Sequence, residues 1–403
     1  MGKFSDKLGL HPVPATPVSD PPQSPEHIIK LSHTLLEQAV DARASDLYLE
    51  AFDKGSCRIR LRIDGVLHLW TNLSRSDFNG LLTRFKVLAQ MDIADKLRPQ
   101  DGSFRYALGR DTINIRVSTL PLLDGEHLVL RLFDTRRYLQ SFSTLGLFPD
   151  DARKVSHLLT CRQGLIVVAG ATGSGKTATV FSMLNELNQS ARHILTLEDP
   201  VEIRLPGLSQ VAINRKQGLD FETGLRAILR QDPDVIVIGE IRDEASALAA
   251  VRAAMTGHLV ITTLHTRNIA ATLDRLVNLG VPPYLIADTL IGIISQKLVR
   301  RLCPHCKTKV PDAEPLRRLW RLPQTADPHR AGRCARCRKT GHWERTGIFE
   351  VIDLSRGRKL LDAALLRGDR RAWRGHYRPF AASLAAWIAR GEVSDEEARQ
   401  VLF

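Results

Sequence analysis

The chain has 403 residues, 43% hydrophobic and 25% charged, the balance of a soluble globular protein with room for two or three cores. No apolar run reaches the length a membrane-spanning helix needs, and Met1-Gly-Lys-Phe-Ser-Asp-Lys7 lacks the apolar stretch of a signal peptide, so a cytoplasmic protein with at most peripheral membrane contact is expected. Lys plus Arg number 57 against 44 Asp plus Glu, and the resulting net charge of +13 favours anionic partners (phosphate ligands, acidic lipid or nucleic acid) without choosing among them.

Residues 1–26 are rich in Pro and Ser and read as a disordered leader. His27 to Asp41 carries Ile29, Leu31, Leu35, Leu36 and Ala39 at helical spacing. Strand alternation follows at Asp46–Glu50 and Cys57–Asp64, with Asp64-Gly65 as a hairpin turn into Val66–Trp70. A helix is expected from Ser76 to about Gln90, then alternating strands at Gly102–Leu108, Thr112–Ser118 and His127–Phe133. Residues 27–135 therefore read as a smaller α+β N-terminal domain, with a polar linker over 136–145.

From residue 146 the pattern changes. Short apolar strands at Leu165–Ala169, His193–Leu197, Val235–Ile238 and Leu259–Thr263 alternate with helices, the mark of a parallel sheet covered on both faces. Residues 146–403 are thus expected to form an α/β domain with a parallel sheet, mostly helical after about Ala270. Two basic runs, Arg356–Lys359 and Arg367–Arg374, read as solvated faces.

The most informative stretch is Gly170-Ala171-Thr172-Gly173-Ser174-Gly175-Lys176-Thr177, set between an apolar strand and a helix. This G-x-x-x-x-G-K-[ST] pattern lets backbone N–H groups converge on phosphate oxygens, backed by the positive end of the following helix. Lys176 is expected to reach the β- and γ-phosphates of ATP, and the Thr177 hydroxyl to ligate Mg²⁺. Acidic residues and histidines collect at the neighbouring strand ends: Glu198 and Glu202 after one strand, Gly239-Glu240 after Val235–Ile238, and His265 after Leu259–Thr263. Ligands bind at that edge of an open α/β sheet. A Walker B strand usually ends in Asp, where this chain has Gly-Glu. Each acidic residue alone fits a helix cap or a surface charge; their joint placement argues for an active site.

Six cysteines are present. Cys57 and Cys161 are isolated and read as small buried apolar residues. Cys303-Pro-His-Cys306 and Cys334-Ala-Arg-Cys337 form two C-x-x-C pairs suited to a closed, structural Zn²⁺ site, although more widely separated than in the common arrangement. His305 and His342 lie nearby and are not taken as ligands.

Together the P-loop at 170–177, the acidic box Thr196–Glu202, the atypical Walker B stretch Arg230–Asp243 and the histidine box Gly257–Thr266 resemble the motor ATPases of type II secretion and type IV pilus assembly. Ala44–Glu50, Arg60–Gly65, Pro99–Gly102, Arg116–Pro121 and Gly125–Arg131 resemble the N-terminal domain of that family. The resemblance implies a PAS-like fold for residues 27–135, a RecA-like P-loop ATPase fold for residues 146–403, and a homo-hexamer on the inner face of the bacterial cytoplasmic membrane. It would hydrolyse ATP to move a pilin or pseudopilin fibre through a polytopic membrane platform protein, with contact to anionic lipid. It also implies that Arg116 and Arg131 contact the γ-phosphate, the alternative being local pairing with Asp101 or Glu126. Glu240, Glu198 and Glu202 would share Mg²⁺ coordination and activation of water, His265 would sense the γ-phosphate, and His258 would orient its strand. A tetracysteine segment is typical of assembly and secretion members and absent from retraction motors, the other reading within the superfamily. A DNA-transfer or nucleic-acid-binding ATPase is a third reading, but no helix-turn-helix or base-stacking motif supports it. Larger secretion members carry a further N-terminal domain; here only the leader is expected before the core, so recruitment would rely on the platform.

Overall fold

The computed structural model describes residues 24–402 apart from 53–55, 110, 124, 135–137, 189–191, 366–372 and 374. The leader up to residue 23 and the basic run 367–374, Trp373 excepted, lie outside the described residues. The chain divides into two compact units, Met1–Thr135 and Arg136–Phe403.

The first unit begins with α1 (Pro25–Asp41), which starts where the Ser24 side chain accepts from the His27 N–H and Pro25 takes the first turn. Next come β1 (Ala44–Phe52), β2 (Ser56–Ile63), β3 (Val66–Leu73), α2 (Arg75–Leu88), β4 (Gln100–Leu108), β5 (Asp111–Leu122) and β6 (Gly125–Phe133). The strands form one antiparallel sheet in the order β3-β2-β1-β6-β5-β4. Alternation decides its faces: Ile59, Leu61 and Ile63 of β2 are buried, with Leu35, Leu36, Phe78, Leu81 and Phe85 of the two helices in the same core. Arg58, Arg60 and Arg62 alternate with them on the other face. Beneath the end of α2, the Lys86 ammonium is 1% exposed and donates to Glu126 at 2.7 Å and to the Asp95 carbonyl at 2.8 Å. Such a pair is costly to break because the partner's charge would be left buried.

The second unit continues with α3 (Phe142–Leu145), α4 (Pro149–Thr160), β7 (Gly164–Ala169), α5 (Lys176–Leu187), β8 (Ile194–Glu198), β9 (Ser209–Ala212), α6 (Phe221–Ile228), β10 (Val235–Ile238), α7 (Glu244–Met255), β11 (Leu259–Leu264), α8 (Ile269–Asn278) and α9 (Pro283–Thr289). The chain then forms β12 (Leu290–Leu302), β13 (Thr308–Lys309), α10 (Glu314–Trp320), β14 (His329–Arg330), β15 (His342–Asp353), α11 (Arg358–Leu365), α12 (Phe380–Ala389) and α13 (Asp395–Leu402). Its main sheet runs β15-β12-β7-β11-β10-β8-β9, parallel throughout except for the antiparallel edge strand β15. Every residue of β7 and β10 is buried, as a central strand covered on both faces requires.

The expectation of a mostly helical chain after Ala270 fails at β12 and β15, two of the longest strands in the structure. Leu290-Ile-Gly-Ile-Ile-Ser-Gln-Lys-Leu-Val299 carries apolar residues at positions a helix would also place together. Its β-branched residues and the pairing with β7 and β15 decide for a strand. The stretch 136–145, read as a linker, contains α3, whose Phe142 is buried. Cys161 is only half-buried at the end of α4, whereas Cys57 is buried as expected. No helix among the described residues is long and apolar enough to cross a membrane.

Candidate phosphate-binding site and cysteine cluster

Parallel strands carry their C-terminal ends to one edge of the sheet, and β7, β8, β10 and β11 all do so. The loop after β7 sits there. Gly170 N–H donates to the Leu264 carbonyl at the end of β11 (3.1 Å), and Ser174 N–H closes a turn onto the Ala171 carbonyl (3.1 Å). Gly175, at φ +90°, leads into α5, and no side chain caps the free N–H groups of that helix. Ala171, Thr172 and Gly173, just before that helix, are exposed. Thr177, the second residue of α5, is half-buried.

The Lys176 ammonium folds back over the loop, donating to the carbonyls of Gly170 (2.8 Å) and Ala171 (3.1 Å). Burial lowers its pKa, and the negative charge of Glu240 works in the opposite direction. His265 bridges the two groups. Its Nδ1 lies 3.5 Å from Lys176 Nζ and 3.3 Å from the Thr172 hydroxyl, and its Nε2 lies 3.1 Å from Glu240 Oε1. An ammonium can only donate, so Nδ1 is the bare nitrogen and the Nε2 proton points at the carboxylate. Burial, and then the positive charge of Lys176, push the His265 pKa down despite Glu240, which keeps the ring neutral at neutral pH.

Glu240 receives Arg242 Nε on its second oxygen at 3.0 Å. Asp243, three residues beyond Glu240, accepts from the Ser246 N–H and caps α7. Glu198 ends the adjacent strand, and its Oε1 accepts from Thr196 Oγ1 (2.6 Å) and Gln210 Nε2 (3.0 Å). The structure thus gathers Lys176, His265, Glu240 and Glu198 at one sheet edge, with Glu202 on the loop four residues beyond Glu198. His258 is not among them. It precedes β11, its carbonyl accepts the Gly164 N–H at the start of β7, and its ring contacts Thr256 and Ala253. A six-residue strand puts it about 20 Å from the loop.

In the first unit Arg116 and Arg131 face each other across β5 and β6. Arg131 Nε donates to the buried Asp46 at 2.9 Å, and the Arg116 guanidinium lies over the Phe133 ring.

The four cysteines close an insert between β12 and β15. Cys303 and Cys306 follow the first strand and Cys334 and Cys337 precede the second. All four sulfurs lie within 4.8 Å of one another: 3.9 Å for Cys303–Cys334, 3.7 Å for Cys306–Cys337 and 3.6 Å for Cys334–Cys337. A tetrahedral ion with bonds of about 2.3 Å to sulfur requires separations of about 3.8 Å. Disulfides need about 2 Å. Burial pushes the Cys306 thiol up, the neighbouring thiols adding to it. Burial also opposes ionisation of Cys337, yet hydrogen bonds with the backbone of Cys334 and Gly341 bring it down to about 7. The cluster suits a soft, tetrahedral metal ion.

Residues 22–394 match the model of the "Type II/IV secretion system protein" family. The chain belongs to that family. Its relatives include type II secretion system protein E of Klebsiella pneumoniae, 43% identical over 326 residues that cover 81% of this chain and 65% of that protein. Another is type II secretion system protein HxcR of Pseudomonas aeruginosa, 40% identical over 93% of this chain and 77% of its own length. The chain thus spans 65% of the Klebsiella protein. Among solved structures, the ATPase DotB of Legionella pneumophila shares the fold, with a TM-score of 0.71 at 22% identity over 97% of this chain and 99% of that one. The pilus retraction motor PilT, solved with bound ADP, superposes with a TM-score of 0.61 at 25% identity over 91% and 95% of the two chains.

Within this family member one residue at the loop escaped the motif reading. Gln296 of β12, 2% exposed, donates its Nε2 to the Ser174 carbonyl at 2.7 Å. It lies 122 residues from Ser174 in sequence, and only the pairing of β12 with β7 brings them together.

Proposed function

We propose that the chain is the ATP-hydrolysing motor of a type II secretion or type IV pilus-assembly machine, working as a homo-hexamer on the cytoplasmic face of the bacterial inner membrane. The observation that carries the chemical part is the chain of contacts from Lys176 through His265 to Glu240 at the rim of the loop. In this reading the loop N–H groups and Lys176 hold the triphosphate, and Thr177 holds the Mg²⁺ that supplies charge neutralisation when bound. Lys176 exchanges its two loop carbonyls for phosphate oxygens. Glu240 accepts a proton from, or orients, the attacking water, with the neutral His265 keeping its carboxylate in place and reporting on the phosphate end of the site. Glu198, fixed by Thr196 and Gln210, is the second carboxylate at the metal, with Glu202 beside it. Arg116 and Arg131 carry the γ-phosphate role that the family resemblance implies for them, one to which the fork of a guanidinium is suited. Zn²⁺ held by Cys303, Cys306, Cys334 and Cys337 is structural: four sulfur ligands leave no position for water.

Secretion or assembly is preferred to retraction because the four cysteines are together and because the relatives at 40–43% identity are named for type II secretion. The partners follow from the same reading: a polytopic platform protein, a pilin or pseudopilin fibre driven through it, and anionic lipid beneath.

The test is ATP turnover by the purified chain with Mg²⁺, beside Glu240→Gln. The expected result is hydrolysis by the parent and binding without hydrolysis by the variant. A parent that takes up no nucleotide overturns the proposal, and undiminished turnover by Glu240→Gln overturns the role of Glu240.

A further inference from the structure

Gln296 touches the phosphate loop at both ends. A Cβ added to Gly170 would lie 2.6 Å from the Gln296 backbone oxygen, and one added to Gly175 would lie 3.1 Å from its Nε2. The strand is also held from its other face, where the next residue, Lys297, donates to the Val401 carbonyl in α13 at 2.7 Å. Gln296 is therefore a fixed point against which the loop rests.

The bond it makes is to one carbonyl, that of Ser174. In a trans peptide the C=O and the N–H point in opposite directions. Holding the Ser174 oxygen toward β12 therefore aims the Gly175 N–H the other way. The local backbone does not enforce this by itself, because glycine adopts φ of either sign at similar cost. Gly175 sits at φ +90°, and were its φ to change sign the Ser174–Gly175 peptide could turn over. The carbonyl would then face the position of a phosphate, where a donor is needed.

The other half of the amide argues that this contact, rather than folding, accounts for the residue. Gln296 Oε1 is buried with no hydrogen-bond partner among the described residues. An unmet buried acceptor costs roughly 1–3 kcal/mol; a methionine of the same length would remove it while taking the donor from the Ser174 carbonyl, so the two changes oppose each other in stability.

We propose that Gln296 is a positioning residue for nucleotide binding: its side-chain amide fixes the orientation of the Ser174–Gly175 peptide, so that the Gly175 N–H is presented to the phosphates. The proposal rests on the nucleotide reading above.

The experiment compares the full chain with Gln296→Met and Gln296→Glu, measuring MgADP affinity, melting temperature without nucleotide, and KM against kcat for ATP. For Gln296→Met the expected result is MgADP affinity weakened roughly three- to tenfold, the scale of one hydrogen bond. The loss should appear in KM more than in kcat, with a nucleotide-free melting temperature close to the parent's. Gln296→Glu keeps the length but places a carboxylate against the Ser174 carbonyl, and is expected to weaken binding further. Met affinity within about twofold of the parent, or a nucleotide-free stability lost in step with affinity, overturns the assignment. A parent that binds MgADP beside an equally competent Met variant defeats the role of Gln296 alone; a parent that does not bind defeats the nucleotide reading itself.

Discussion

The phosphate loop and the cysteine cluster hang from the same sheet, yet their side chains are arranged on opposite principles. At the loop, Lys176, Thr172, His265 and Glu240 satisfy one another through contacts of 3.1–3.5 Å, and Lys176 also rests on two loop carbonyls. These partners can be exchanged, and a ligand with negative charge offers better ones. At the cluster three sulfur pairs already stand at the 3.6–3.9 Å separations of a filled tetrahedron, all four sulfurs lie within 4.8 Å of one another, and Cys303 and Cys337 are buried. A site that binds and releases keeps its groups provisionally paired; one that only holds the fold is set to a single geometry.

If that contrast is right, the two sites fail differently. Lys176→Ala is expected to reduce ATP turnover by at least about 10²–10³-fold, the scale for losing one donor to transition-state charge. Its melting temperature should be unchanged or higher, because a buried ammonium has been removed. Turnover within tenfold of the parent would contradict the role of Lys176. Metal loss should do the reverse. Metal analysis is expected to find about one Zn per chain, and Cys334→Ser to lose it. Melting should fall by several degrees, at about 2–4 °C per kcal/mol in a chain of this size, with MgADP affinity kept. A protein free of metal and equally stable would remove the cluster's structural role.

Both sites were legible in the sequence for one reason: each is written in short, contiguous spacing. The eight residues of the loop and the two C-x-x-C pairs need no tertiary information to be found. The carboxylates Glu198 and Glu240 followed once the strands before them were recognised, because parallel strands end at one edge. The alternation of the first unit was equally readable, since Ile59, Leu61 and Ile63 against Arg58, Arg60 and Arg62 fix which face is buried. What sequence could not supply was long-range pairing. β12 and β15 carry an apolar pattern compatible with helix, and only their neighbours make them strands. Gln296 was invisible for the same reason. His258, expected only to orient its strand, stands at the opposite end of β11 from His265, with its ring against Thr256 and Ala253.

Glycines sharpen the comparison at a smaller scale. In the cluster, a Cβ on Gly332 would stand 1.8 Å from the Cys306 carbonyl oxygen, a backbone atom that cannot yield without moving a sulfur ligand. Gly332→Ala is expected to lower metal retention in a chelator competition while leaving MgADP affinity unchanged. Gly175→Ala meets φ +90°, which costs an L-residue about 1–2 kcal/mol, and also presses on the Gln296 amide. It should weaken MgADP binding and spare the metal. If either variant damaged both sites equally, the two would be one cooperative unit and the contrast would fall.

The smallest expected effect reads the provisional pairing directly. Burial, Lys176 and Arg242 lower the His265 pKa, and Glu240 raises it. The ring should therefore titrate below its ordinary value of about 6.5. A group held neutral by the fold adds stability that is present above the unfolded value and is lost as pH falls toward the folded one. Removing Glu240 by Gln substitution takes away the one opposing charge, so the midpoint must move lower still. Lys176→Ala takes away a repelling charge and must move it higher. Ring-proton NMR of His265 across roughly pH 4.5–8 brackets that ordinary value and measures both shifts. Opposite signs are required because the three side chains share one field; equal shifts, or none, would mean that His265 stands apart from the groups it touches and that Lys176 and Glu240 are not electrostatically linked through it.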